Sequence, residues 1–158
     1  MKVVKLLVLI VAVLVVQSMF LNKYRWLQLI DLVLIINIYT ALYFSQTSCL
    51  AISLSTGLMQ DALTKGIMGM NAFSKTVLAF LISALSSRIV IKQPVLSFLV
   101  GVASVLDLLI IFGLHKLFNL SGFVITPKLL GSAALMNALT SLLVFYLADK
   151  VRLKQEYA

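Results

Sequence analysis

Leu6–Val16 is an unbroken apolar run, and Leu139–Leu147 is interrupted only by Thr140 and Ser141. This continuity is what most constrains the fold. A membrane β-strand alternates apolar and polar residues over about ten positions. A membrane helix instead needs roughly 20 consecutive, mostly apolar residues. Runs of the second kind recur along the chain, so the elements are helices. With 62% hydrophobic and 11% charged residues and a mean hydropathy of +1.12, polar side chains are too few to cover a water-facing surface. Soluble domains carry about half apolar and about a quarter charged residues. Single-domain soluble enzymes, nucleic-acid-binding proteins and disordered chains are thereby excluded, and the chain reads as an all-α integral membrane protein.

Six membrane helices would use about 120 residues of the 158. The apolar pattern places them at Val3–Leu21, Leu27–Phe44, Cys49–Leu63, Met70–Val90, Val95–Phe118 and Leu129–Ala148. Residues 1–158 then form one transmembrane domain with a short charged cytoplasmic tail, 149–158. The first run follows Lys2 and Lys5, as a secretory signal does, but it is long and lacks a small-x-small cleavage site, so it reads as a retained helix. Asp61–Lys75 reads as a loop or a re-entrant element, and five spans are the alternative to six. With six spans both termini share one side. Seven basic residues (Lys2, Lys5, Arg88, Lys92, Lys150, Arg152, Lys154) then face the cytoplasm against five outside (Lys23, Arg25, Lys65, Lys116, Lys128). That bias places both termini in the cytoplasm. Lys75 is omitted from the count as a residue within a helix. The net charge of +8 reads as basic helix ends facing anionic lipid headgroups.

Asp31, Asp61 and Asp107 fall within apolar stretches. An acid at bilayer depth costs a few kcal/mol and needs a partner, a proton or a wet cavity. Lys65, four residues after Asp61, is the partner that local helical spacing supplies. Asp107 has no cation within a turn, so its partner lies on another helix or it is protonated. Asp31, one turn inside the second span, reads as reaching the headgroups. These acids suit helix anchoring or partner docking better than a proton or substrate path.

Small residues recur every fourth position at Cys49, Ser53, Gly57 and Asp61, at Ala79, Ser83 and Ser87, at Ser97 and Gly101, and at Ala133, Asn137 and Ser141. Each set lies on one helical face and permits close helix packing. Cys49, the only cysteine, reads as a packing residue. Neither G-x-S-x-G, H-E-x-x-H nor a Gly-rich phosphate loop occurs. The reading is therefore a protein without catalytic residues, cofactor or metal.

Gly57-Leu-Met-Gln60-Asp61, then Lys65-Gly66-Ile-Met-Gly69-Met-Asn71-Ala72 leading to Lys75-Thr76, resembles the central signature of the rod shape-determining MreD family. Asp31-Leu-Val-Leu leading to Tyr39 resembles that family's second helix, although Ile30 stands where the family often has proline. The resemblance implies an inner-membrane scaffold of the bacterial cell-elongation machinery, which builds peptidoglycan. Its implied partners are MreC directly, and the MreB filament and the RodA–penicillin-binding-protein synthase directly or indirectly. The implied docking or structural residues are Gly57, Gln60, Asp61, Lys65, Gly66, Gly69 and Asn71, with Asp31; Asp107, as an acid in an apolar stretch, and Asn137, on a small face, join them from the residue pattern. It also implies the six-helix fold of the S components of energy-coupling-factor transporters, so a small-molecule-binding transporter subunit is the alternative.

Overall fold

The computed structural model describes residues 13–15, 17, 27–64, 67–86, 93–120 and 124–156. Among these the chain is all-helical, with no strand. A 3-10 turn, Leu27–Leu29, precedes five helices: α1 Leu32–Tyr43, α2 Gln46–Thr64, α3 Met70–Ser86, α4 Gln93–Leu117 and α5 Pro127–Glu156. Most of the first expected span, Val3–Leu21, lies outside the described residues, as do Lys65, Gly66 and Ser87.

Two antiparallel hairpins, α2–α3 and α4–α5, pack around α1, which touches all four of their helices. The hairpins close because glycine lets backbones approach. A Cβ on Gly57 would lie 2.4 Å from Ala72 Cα, and one on Gly101 would lie 3.3 Å from the Ala134 carbonyl oxygen. Val33, Leu34, Ile35, Ile38 and Ala41 of α1 are buried on nearly every side, as expected of a central helix.

Helix ends shift by a few residues from the sequence expectation, and two boundaries differ more. The second span breaks at Asp31, which is the extended N-cap of α1 and not a residue one turn inside a helix. Its carboxylate accepts the Leu34 N–H at 3.1 Å, the role for which Asp is favoured. At the other end, α5 runs on through 149–156, the expected tail. No Gly or Pro follows Ala148 in the tail, and its residues are largely good helix formers. α4 ends on Asn119 at φ +52, with Leu120 N–H donating to the His115 carbonyl and Asn119 N–H to that of Lys116, a Schellman closure.

Two described stretches are long and apolar enough to cross a membrane: Val95–Leu117, mean hydropathy 2.6, and Pro127–Tyr146, mean hydropathy 1.6. The distribution of side chains is inverted relative to a water-soluble fold. Phe73, Phe80, Phe98, Leu135, Leu139 and Leu143 point outward, while Asn37, Gln60, Asp61, Lys75, Asp107 and Asn137 are buried.

Candidate functional site

The buried polar residues converge at one end of α1. Lys75, on the inner face of α3 with Ala72, Leu78 and Ala79, has no exposed surface. Its ammonium has three protons to donate and three acceptors around it. Asp31 Oδ2 lies at 2.8 Å and Asp107 Oδ2 at 3.6 Å. The third acceptor is Asn71 Oδ1, one turn earlier on α3, at 3.1 Å. An ammonium taken out of water costs several kcal/mol unless it is paired and hydrogen-bonded, and this one is both.

Each partner is anchored in turn. Asp107 projects from the α4 face that also buries Val100, Ala103 and Ser104, and it accepts the Ser74 hydroxyl at 2.5 Å. Asp31 accepts from Gln17 Nε2 at 3.2 Å and from Gln60 Nε2 at 3.4 Å. Asn137 of α5 mends the break before α1. Its Oδ1 accepts the Asp31 N–H at 2.8 Å, while its Nδ2 reaches the Leu29 carbonyl at 2.9 Å and Ser104 Oγ at 2.8 Å.

Asp61 occupies the start of α3. It accepts the N–H groups of Gly69, Asn71 and Ala72 at 2.8, 3.2 and 3.3 Å, and Asn71 Nδ2 at 2.8 Å. Gly69, at φ +100, supplies the turn that aims these donors at the carboxylate. Asn71 therefore links Asp61 to Lys75. Cap loss costs about 1 kcal/mol, and more where buried donors are orphaned. Asp61→Ala is accordingly expected to lower unfolding stability by about 2 kcal/mol and Asp61→Asn by about half that. Thermal unfolding in detergent reads the difference, and an Asp61→Ala midpoint equal to wild type would show that the cap is dispensable.

Beside the network lies a cleft of about 140 Å³, walled by the 3-10 turn, α3, α4 and α5 and lined by Gln28, Asp31, Asn71, Ser104, Asp107 and Asn137 among others. Sites for drug-sized ligands run to roughly 300–1,000 Å³. At about 30 Å³ per water molecule, this cleft suits a few waters. Among the described residues, no group of three or more His, Cys, Asp or Glu side chains is placed to hold a metal ion.

Asp31, Gln60, Asp61, Asn71, Asp107 and Asn137 thus meet in one network, Gly57 and Gly69 shape the hairpin that holds it, and Lys65 and Gly66 fall outside the described residues. Asp31 reaches inward to Lys75, its side chain only 19% exposed, in place of the expected reach to headgroups. Asp107 has its cation on another helix. Sequence reading missed Lys75, Ser74 and Ser104. The available signal was a lysine flanked by Asn71, Ser74 and Ala79 at helical spacing, in a chain with three acids needing a cation.

Comparison of the chain with protein-family models, with curated proteins and with solved structures finds no match.

Proposed function

We propose that this chain is a non-enzymatic scaffold of the bacterial inner membrane: six helices, both termini cytoplasmic, binding MreC laterally and through it the wall-synthesis complex. The observation that carries the reading is the inverted side-chain distribution. The described polar groups of the core are largely spent on contacts between the chain's own helices, and the outward faces are apolar. A partner then docks by lateral helix packing, the mode that small faces and lipid surroundings favour. The resemblance of Gly57–Thr76 to the MreD signature supplies the partner's identity. The alternative, an S-component-like transporter subunit, requires a ligand chamber, and the 140 Å³ cleft is small for a vitamin.

Affinity-tagged protein solubilised from native membranes is expected to retain MreC through detergent washing. Recovery of a vitamin-transport ATPase module in its place would establish the alternative and sink the scaffold reading.

A further inference from the structure

Behind the ion network, α1 and α2 bury a second polar row. Ser53, Thr56 and Gln60 fall one turn apart on α2, and Asn37 of α1 joins them, its Oδ1 accepting the Thr56 hydroxyl at 3.1 Å. Among the described residues, three atoms of this row have no hydrogen-bond partner: Asn37 Nδ2, Ser53 Oγ and Gln60 Oε1. Their residues are 2%, 0% and 7% exposed. Native proteins leave few buried polar groups unsatisfied, and internal water or an ion is the usual explanation. Three on one seam mark a file of such positions. Gln60 joins the file to the network, its Nε2 lying 3.5 and 3.4 Å from the two oxygens of Asp31. On the network's other side is the polar cleft, lined by both Asp31 and Asp107.

The charges do not balance. Among the described residues the network holds Asp31, Asp61 and Asp107 against one cation, Lys75. α5 contributes the neutral Asn137, and Gln17 and Gln60 are neutral. Asp31 and Asp61 cap α1 and α3, whose N-termini supply roughly half a positive charge each. With Lys75 counted, about one negative charge remains, and Asp107 is the carboxylate without a helix terminus.

We propose that water fills the α1–α2 seam and makes the Asp31–Lys75–Asp107 network a proton-exchange site reached from the cleft and from the seam. A hydronium in the cleft transfers its proton to the Asp107 carboxylate and becomes water. The Lys75 ammonium gives one proton to Asp31 and takes the Asp107 proton in its place, and Asp31 then passes its proton to a seam water, so each N–H or O–H bond broken is matched by one formed. Lys75 keeps its charge and holds the two carboxylates together. This activity stands apart from scaffolding and does not rest on it.

The test uses the purified full chain in liposomes containing a trapped pH-sensitive dye, with a potassium gradient and valinomycin driving proton uptake. Wild type is expected to exceed protein-free liposomes at least tenfold, and Asp107→Asn to fall to the protein-free level. Ser53→Val, which fills the seam away from the ions, is expected to fall likewise with its unfolding midpoint kept, so the test stands even if Asp107→Asn fails to fold. Wild-type flux at the protein-free level overturns the proposal. So does flux indifferent to Ser53→Val, or flux that disappears when choline replaces sodium, which marks a sodium site. Capture of MreC is unchanged in Ser53→Val, separating this proposal's failure from that of the scaffold reading.

Discussion

Lys75→Met is expected to be the most damaging single substitution in the protein. Removing one partner from a buried ion network leaves the other charges uncompensated, at a cost of about 3–5 kcal/mol. That is a large share of the roughly 5–15 kcal/mol that holds a domain together. Lys75 is wholly buried and touches Asp31, Asn71 and Asp107, so little folded protein should be recovered. Adding Asp107→Asn to Lys75→Met removes one of the stranded carboxylates and is expected to restore part of the yield. Fluorescence-detected size exclusion of the two variants beside wild type reads this directly. Equal monodisperse yield for Lys75→Met and wild type would mean that the ammonium is not the keystone of the core.

Gly57→Ala is expected to cost about 2–3 kcal/mol, in the upper range for overpacking a tight contact. The added methyl would meet Ala72 Cα at 2.4 Å, Ala72 N at 2.7 Å and the Asn71 carbonyl carbon at 3.0 Å. All three are backbone atoms, so no rotamer change relieves the clash and the helices must separate. Separation also pulls Asp61 away from the N–H groups of Asn71 and Ala72. Gly131→Ala is the control. A Cβ there meets nothing within 4 Å, and exchanging a helical glycine for alanine is stabilising by up to about 1 kcal/mol. Unfolding midpoints moving in opposite directions confirm the packing argument, and a neutral Gly57→Ala refutes it.

What the sequence made legible was local. The small faces through Gly57 and Gly101 followed from four-residue spacing, and both glycines sit where helices touch. Asp61 and Asn71, given as docking or structural residues on the family resemblance, meet where α2 gives way to α3. The ion network was not legible in the same way. Local spacing paired Asp61 with Lys65, because i to i+4 neighbours are the only ones a single helix reveals. The cation that gathers Asp31 and Asp107 is Lys75, 44 residues after one and 32 before the other. Such pairing depends on how hairpins stack, which no periodicity encodes. Asp31 misled for a related reason. One turn inside a continuous helix it would reach the headgroups, but the backbone leaves the helix at Asp31, which caps α1 and turns inward to Lys75.

The hairpin of α2 and α3 also bears on how the protein is made. Among the described helices, only stretches of α4 and α5 have the length and hydropathy of a self-sufficient crossing. Released singly into lipid, α2 would expose Gln60 and Asp61, and α3 would expose Lys75. Held by the Gly57–Ala72 contact and the Asp61 cap, the pair satisfies Asp61 within itself, while Gln60 and Lys75 find their partners on Asp31 and Asp107 once the other helices dock. In the proposed membrane setting, entry of the pair into the bilayer as one unit would spare Asp61 exposure to lipid.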